Sequence, residues 1–420
     1  MPTAHSDTSN TNTFIQQPKA VPLRRNRDYW LMLSGQGISS IGTQVSQLAF
    51  PLLILALTHS PALAGIMSAL RGLPYALFCL PAGALADRWN RKRVMIFSDL
   101  GRALALGSIP VALALGHLTL IQLYFVSFIE GTLFVFFQMA ESSALPHIVS
   151  KEQLTAATGQ NEVLFSSAIM IGPSIGGVLY GLSNMLPFLS DTISYLFSVL
   201  SLCFIKVPFQ HERVVVKQKL WVEVREGLAW LWHNPLIRFL AILTCGLTAP
   251  CAGYSLILIV IAQRQHATAF TIGLIFAAGG LGSIVGAMLA SPLERRFGFS
   301  RVIIGATWFW AISWLFYALA PNPLILGIIN AIGYAVVPIY MVVQYSYRLA
   351  RIPDHLQGRV NSVFRLIAFG SQPIGLTVTG ILLQTVGPVP TILILFIPQI
   401  ALTIATTLNK HVRAVSLQQG

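Results

Sequence analysis

Twelve apolar segments, each long enough to cross a bilayer as a helix, constrain the fold of this 420-residue chain. A helix needs roughly 20 apolar residues to cross a hydrocarbon core of about 30 Å. Only 10% of the residues are charged, whereas soluble domains carry roughly 25%. We therefore predict an all-α membrane protein with twelve transmembrane helices. The segments lie at about 29–57, 62–86, 94–116, 119–141, 156–181, 186–207, 237–262, 269–292, 301–320, 323–349, 360–384 and 387–409.

The placement of the basic residues gives the expected orientation. The formal net charge is +13, which in a soluble protein would suggest a nucleic-acid partner. All but four of the 27 Lys and Arg, however, fall in tails, in loops or within two residues of a span end, on one alternating side. Short basic loops stay in the cytoplasm, so we expect a multi-pass cell-membrane protein in a lipid bilayer, with both termini cytoplasmic and no nucleic-acid partner. The four exceptions are Arg71, Arg102, Arg264 and Arg365.

The two halves of the chain repeat. Asn161 and Pro173 recur as Asn361 and Pro373, offset by 200 positions, and the bases after the second segment are echoed after the eighth. Parallel repeats of this kind enclose a site at the bilayer midplane. We predict two pseudo-symmetric six-helix bundles and no fixed partner chain, so that a monomer is functional. The bounds are a tail at 1–27, bundles at 28–207 and 236–409, a linker at 208–235 and a tail at 410–420.

The linker contains a predicted amphipathic helix. Trp221, Val224, Leu228 and Leu231 fall on one face at helical spacing, which is typical of a helix that lies at a membrane interface. We expect this helix to tether the two halves. A regulatory or partner-binding role is the alternative.

A dense charge cluster follows the second segment, in the run G-A-L-A-D-R-W-N-R-K-R from Gly83 to Arg93. This run resembles the loop signature of the major facilitator superfamily, with Asn90 where a Gly is common. The resemblance implies a cytoplasmic gate that latches the two bundles; a generic topology signal is the alternative. The gate would comprise Gly83, Asp87, Arg88, Arg91, Lys92 and Arg93, together with Glu141 at the end of the fourth span.

Further motifs resemble one exporter branch of that superfamily, which contains the enterobactin exporter and macrolide-efflux proteins. They are G-Q-G-I-S-S-I-G-T-Q in the first span, L-P-A-G-A-L-A-D-R at the end of the second and R-I-P-D-H-L-Q-G-R-V-N-S leading into the eleventh. The run Gly172, Pro173, Gly176 and Gly177 resembles the motif of antiporter branches, and small residues at such spacing also let helices pack closely. The resemblance covers about residues 25–408.

Two charges fall near the middle of the membrane. Arg71 and Glu130 each lie about ten residues from the outer end of their spans, so both are ~15–17 Å deep at 1.5 Å per residue. Charges at that depth are expensive and usually functional. We predict that the two pair directly, with Glu130 as the candidate proton carrier; a structural ion pair is the alternative. Asp191 is expected to be structural, and Arg365 to act as a gate or interfacial residue.

Polar side chains within apolar spans predict a cavity. Such a site, apolar with a few amides and phenols, suits an amphiphilic organic molecule. In the superfamily the first, fourth, seventh and tenth spans line the passage, which implies the same for this chain. The candidate substrate-binding residues are Gln44, Gln47, Arg71, Glu130, Tyr254, Asn330, Tyr334, Tyr340 and Gln344.

These patterns predict a secondary transporter that exports a small amphiphilic organic molecule, such as a siderophore, macrolide or other drug-like compound. Alternating access driven by a proton gradient is the expected mechanism. A lipid translocator and a non-transporting membrane sensor are the alternatives. The sequence carries no phosphate-binding loop and no Ser-His-Asp set, so we expect no enzyme and no cofactor. The four Cys lie in apolar spans without metal-ligand spacing, so no metal site is expected either.

Overall fold

The computed structural model describes residues 22–86, 89–150, 153–207, 209, 220–353 and 356–417, and these contain helices and no strand. The prediction of an all-α membrane protein is confirmed. The helices are α1 (Arg27–Thr58), α2 (Pro61–Ala86), α3 (Arg91–Ala114), α4 (Leu120–Ile148), α5 (Leu154–Leu182), α6 (Leu186–Phe204), α7 (Leu220–His233), α8 (Pro235–Cys251), α9 (Tyr254–Arg264), α10 (Ala269–Ala318), α11 (Pro323–Arg351), α12 (Gln357–Gly370), α13 (Gln372–Thr385), α14 (Pro388–Leu408) and α15 (Lys410–Leu417).

One helix, α10, covers two predicted spans. Eleven continuous stretches of the described chain are long and apolar enough to cross a membrane, and α10 is one of them with 50 residues. At 1.5 Å per residue it would be about 75 Å long, more than twice the ~30 Å hydrocarbon core. Its backbone leaves helical geometry at Gly298, where φ is 76°. We therefore read α10 as two crossings joined at Gly298.

Two predicted single spans are instead broken helices. The seventh span divides into α8 and α9, with Pro250 in the last turn of α8 and Gly253 directly before α9. A side chain at Gly253 would overlap Thr379 of α13, so glycine permits the close approach of these helices. The eleventh span divides into α12 and α13 at Ser371, two residues before Pro373. Proline lacks the N–H that a continuous helix needs, which explains a break at each place.

Glycines set the helix packing within the first half, α1 to α6. A Cβ at Gly42 would overlap Ser194 of α6, and a Cβ at Gly172 would overlap Gln44 of α1. Gly176 lies against the Val45 backbone of α1. Small residues at such positions let helix backbones approach in lipid, where the hydrophobic effect does not drive helices together. The predicted packing role of this glycine run is therefore seen in the contacts.

The linker helix α7 packs against the second half of the chain. Gly227 lies against the Arg359 backbone of α12, Leu231 is fully buried in the second-half core, and Glu226 forms an ion pair with Arg359. The predicted apolar face is only partly right, because Leu228 is exposed whereas Gly227 is buried. The side chain of Trp221 lies outside the described residues. The bounds of the linker and of the two bundles stay a prediction.

The described part of the chain starts and ends on one side of the molecule, which we call the terminal side. There the Asn26 side chain donates to the Ile148 carbonyl across 2.9 Å, and Asp28 accepts from the Val207 amide across 2.9 Å. On the same side of the second half, Ser300 donates to the Val412 carbonyl. The other face is called the opposite side.

The two halves touch through the opposite-side parts of two helix pairs, α2 with α13 and α5 with α10. A Cβ at Gly65 would lie 2.8 Å from the Gly380 Cα, and Ser60 donates to the Gln384 side chain across 2.5 Å. A Cβ at Gly273 would lie 2.6 Å from the Pro173 carbonyl oxygen. The close backbone approach at these glycines closes the molecule on the opposite side.

Candidate functional site

A cavity of about 1090 Å³ lies between the two halves. Its lining on α4 runs from Glu130 to Leu145, and on α5 from Thr158 to Pro173, which are the terminal-side parts of these helices. Together with the close contacts on the opposite side, this places the cavity in the terminal-side half of the molecule. The conformation is therefore open toward the terminal side.

Seven of the nine predicted substrate-binding residues line this cavity. The first half contributes its amide pair and its charged pair, and the second half contributes two phenols and an amide. Gln44 and Gln47 lie on α1, and the other members come from α2, α4, α9 and α11. The seven are Gln44, Gln47, Arg71, Glu130, Tyr254, Asn330 and Tyr334.

The other two predicted residues, Tyr340 and Gln344, do not line the cavity, and this corrects the prediction. Tyr340 is 0% exposed, and its hydroxyl lies 2.8 Å from the Thr244 hydroxyl of α8. Its ring packs against Trp310 in the core of the second half. Gln344 is one turn further along the same helix and is also buried. Both lie on the face of α11 that packs within its own half.

The second-half wall of the cavity is aromatic. The Tyr254 ring stacks on Tyr334 with centroids 5.5 Å apart, and meets Phe276 and Tyr317 edge-on at 6.5 and 5.7 Å. Asn330 is tied into this wall, because its amide donates to the Ile275 carbonyl across 2.7 Å. Rings in such arrangements offer flat apolar area with polar tips, which suits a planar or amphiphilic molecule.

The first-half wall carries a buried ion pair. The Arg71 Nε lies 2.5 Å from Glu130 Oε2, so the predicted direct pair is present. Gly131 makes this possible, because any side chain there would overlap the Arg71 carbonyl oxygen. The glycine brings the backbones of α2 and α4 together at the depth where the two charges meet. The Arg71 side chain is 16% exposed and therefore reaches the cavity.

Arg102 on α3 completes a larger cluster that the sequence reasoning missed. Its Nη2 donates to Glu130 Oε1 across 2.9 Å and to the Tyr195 hydroxyl across 2.5 Å. Its Nη1 lies 3.3 Å from Asp99 Oδ1. The available signal was an Asp-x-x-Arg pair inside an apolar span, since intramembrane charges usually mark function. The sequence pattern alone marks Arg102 only as an exception to the orientation rule.

Asp191 lies beside the charged cluster of the first half, and Arg365 lies on the cavity wall of the second half. Asp191 is fully buried in the second turn of α6, where Ser194 donates to its Oδ1 across 3.1 Å. Its expected structural role stays a prediction. Arg365 lines the cavity from α12, and its side chain interacts with Tyr75 on α2. This contact joins the two halves across the cavity.

The predicted gate is described in part. Asp87 and Arg88 lie outside the described residues, and Gly83 lies within α2. Arg91 donates to the carbonyls of Ser143 and Phe209, at 2.9 and 3.2 Å, and Lys92 to that of Ile205 at 2.7 Å. Arg93 is exposed. Arg91 and Lys92 therefore make these contacts within the first half.

Glu141 is not at the end of its helix, as the sequence suggested, because α4 continues for two turns to Ile148. Its position is on the cavity lining. An acid there faces the space between the halves rather than solvent beyond the helix end. The predicted latch with the loop bases stays a prediction.

Comparison with protein families decides the assignment. The family model described as transmembrane secretion effector matches residues 19–419, nearly the whole chain. The chain belongs to this major facilitator family. Among the described residues no cluster of ligands could hold a metal ion.

Curated relatives of this family member cover almost its full length. The multidrug efflux pump Tap of Mycolicibacterium fortuitum is 26% identical over 399 residues, covering 92% of this chain and 97% of its own. Macrolide efflux protein A of Streptococcus pyogenes is 24% identical over 364 residues, covering 86% and 90%. The resemblance to the exporter branch is confirmed. The family member is thus a multi-pass protein of the cell membrane from a family of transporters.

Solved structures share the fold. The nucleoside transporter NupG superposes with a TM-score of 0.73 at 13% identity, covering 90% of this chain and 98% of its own. A bacterial homologue of the transporter Spinster gives a TM-score of 0.72 at 13% identity, covering 93% and 98%. The major facilitator fold is therefore established.

Proposed function

We propose that this family member exports a small amphiphilic organic molecule from the cytoplasm by alternating access, coupled to a proton gradient. A drug-like compound, a macrolide or a siderophore would fit. Relatives named as multidrug and macrolide efflux proteins support an organic cargo. The terminal side would face the cytoplasm, because the basic loops and tails fall there. One chain encloses the cavity between its own halves, so a monomer would be sufficient.

The shape and the lining of the cavity are the main support for this proposal. It is closed on one side by α2–α13 and α5–α10 contacts, open on the other, and bounded by two different walls. The aromatic wall formed by Tyr254, Tyr334 and Phe276 would hold the apolar part of the cargo. The wall containing Gln44, Gln47 and Arg71 would hold its polar part.

The charged cluster provides the proposed coupling site. Glu130 is its central carboxylate, since it binds both Arg71 and Arg102. Both line the cavity, and Arg71 is the more exposed of the two, so cargo and the carboxylate would compete for its guanidinium. A protonation change in the cluster would then alter cargo binding, and the reverse follows by linkage.

Proteoliposomes test this function. Purified protein would be reconstituted and loaded with a radiolabelled macrolide, with and without an imposed pH gradient. We expect flux that depends on the protein and is accelerated by the gradient. Protein-free liposomes control for leakage. Movement of a fluorescent phospholipid between leaflets without macrolide flux would instead identify a lipid translocator, and neither activity would favour the sensor.

A further inference from the structure

The buried cluster of the first half contains more acids than bases. Two guanidinium groups, Arg71 and Arg102, face three carboxyl groups, Asp99, Glu130 and Asp191. Asp191 is 0% exposed, as is Asp99, and Glu130 and Arg102 are almost equally buried. Within the described residues, the ion pairs of this cluster join these groups to one another. With every group ionised the cluster would hold one uncompensated negative charge.

An uncompensated buried charge is strongly unfavourable, and a titratable group in that situation neutralises instead. Taking one proton from water converts one carboxylate to a carboxylic acid and brings the cluster to zero net charge. The arginines cannot take up this proton, since they are already protonated. One bound proton on a carboxyl group would therefore balance the cluster, and the hydrogen-bond partners of the three acids differ.

The three carboxyl groups have unequal partners. Glu130 accepts from Arg71 across 2.5 Å and from Arg102 across 2.9 Å, so both of its oxygens are bound by cations. Asp99 has Arg102 3.3 Å from its Oδ1, and its Oδ2 is buried without a hydrogen-bond partner. Asp191 accepts from the neutral Ser194 hydroxyl across 3.1 Å, and its Oδ2 is likewise without a partner. Because Asp191 has no ion pair with an arginine, it gains least from being ionised.

The helices packed against Asp191 supply no further cation. From α1 it is faced by Gly42, where a Cβ would lie 2.5 Å from its Oδ1, and by Ser46. From α3 the charged groups that face this region are Asp99 and Arg102, and Arg102 is engaged by Glu130 and Tyr195. The neighbours on its own helix are Ser194 and Tyr195. Among the described residues of these helices, Asp191 therefore has no arginine hydrogen-bonded to its carboxyl group.

We propose that Asp191 is a proton-binding site of this transporter and holds the cluster's proton in the conformation open to the terminal side. The proposal deepens the proposed function, on which its link to coupling rests, and assigns the proton to α6 rather than to Glu130. Glu130 then stays ionised and positions both arginines. Any neutralisation of one acid balances the cluster, so Glu130→Gln, Asp99→Asn and Asp191→Asn each remove the need for a proton.

Infrared difference spectroscopy between neutral and alkaline pH, on the purified full-length protein, tests the site without transport. We expect the C=O stretch of one protonated buried carboxyl group in the wild type. Charge-conserving variants identify its owner: Asp191→Glu should shift the band, whereas Asp99→Glu and Glu130→Asp should leave it in place. A wild type without the band would overturn the proposal, as would a band shifted by Asp99→Glu or Glu130→Asp.

The outcomes separate this inference from the proposed function. A band that shifts in Asp191→Glu while no cargo moves in proteoliposomes would leave the proton site standing and reject export. Gradient-driven export together with a band that stays in place in Asp191→Glu would support export and reject Asp191 as the proton site. If Asp191→Glu does not fold, size-exclusion chromatography will show it. Then an unshifted band in both Asp99→Glu and Glu130→Asp supports Asp191 by elimination, and a shift in either overturns it.

Discussion

At the residue scale, the central feature is that Glu130 accepts hydrogen bonds from two arginines on different helices. Arg71 belongs to α2 and Arg102 to α3, so one carboxylate joins three helices of the first half. Buried charges are tolerated when each has a partner of opposite sign, and loss of one partner leaves the other uncompensated. A substitution of Glu130 is therefore expected to affect both the stability of the fold and transport.

We expect Glu130→Gln to abolish gradient-driven export while leaving cargo exchange measurable. The amide keeps the shape of the side chain but removes the excess negative charge, so no proton needs to bind. The measurement is macrolide flux in proteoliposomes with a pH gradient, beside exchange without one. Gradient-dependent export at the wild-type rate in this variant would eliminate Glu130 from coupling.

Arg102→Met should destabilise the fold more than Arg71→Met. Arg102 binds Asp99, Glu130 and Tyr195 and is 2% exposed, whereas the Arg71 side chain binds Glu130 and is 16% exposed. Removing one partner of a buried ion pair costs about 3–5 kcal/mol, and Arg102→Met leaves Asp99 without a cation and Glu130 with one arginine instead of two. Thermal unfolding in detergent compares the two variants. An equal or greater loss in Arg71→Met would contradict this ranking.

At the element scale, glycines determine how closely helices of different halves approach. Gly177 of α5 lies against the Ala269 carbonyl and Gly273 of α10, whereas Gly181, one turn further, has open space around it. Both glycines lie near the end of α5, but a methyl group would overlap α10 at Gly177 and would meet no atom at Gly181. They form a matched pair for testing the opposite-side contact.

Gly177→Ala should weaken the opposite-side closure, and Gly181→Ala should not. The added Cβ at Gly177 would overlap the Ala269 backbone and force α5 and α10 apart. Both changes raise helix propensity by about 1 kcal/mol, so that effect cancels in the comparison. Cysteine cross-linking between the opposite-side ends of α5 and α10 reports the closure. Equal cross-linking in the two variants would show that the contact of Gly177 with α10 does not determine the opposite-side closure.

At the scale of the whole molecule, transport requires the closure to change sides. The two halves touch on the opposite side and are separated by the cavity on the terminal side. A latch that forms on the terminal side when the halves rock would stabilise the other conformation. Contacts that exist in only one of two conformations shift their populations without changing cargo affinity.

Asp87→Asn should leave the protein folded but shift it toward the conformation open on the terminal side, and slow its turnover. The carboxylate would be favoured at the start of α12 by about 0.3–1 kcal/mol, because a helix N-terminus carries partial positive charge. The helix that precedes it in the chain, α2, contacts α12. Spin-label distances between the terminal-side ends of these helices check the shift. Unchanged distances together with normal export would show that the charged run from Gly83 to Arg93 acts only as a topology signal.

Much of the fold could be predicted from the sequence, because the hydrophobic length of each span is a local property. The breaks at Gly253 and Ser371 were not predicted, since they depend on which helix lies opposite, whereas the break at Gly298 falls between the predicted eighth and ninth spans. The direct pairing of Arg71 with Glu130 followed from equal depth alone. The roles of Arg102 and Asp191 did not, because hydrogen bonding across four helices leaves no spacing in the chain. The prediction that Tyr340 lines the cavity was wrong for a related reason, because the depth of a residue does not tell which way its side chain points.

The two closures differ in the kind of force that holds them. On the opposite side the halves meet through glycine backbones and neutral groups such as Ser60 and Gln384, whereas the proposed terminal-side latch is made of charges. Dissolved ions screen exposed charges and leave van der Waals packing almost untouched. Raising the ionic strength on the terminal side alone should therefore slow the cycle, while the same salt on the opposite side should have little effect. The transporter would sense the salt of one compartment only.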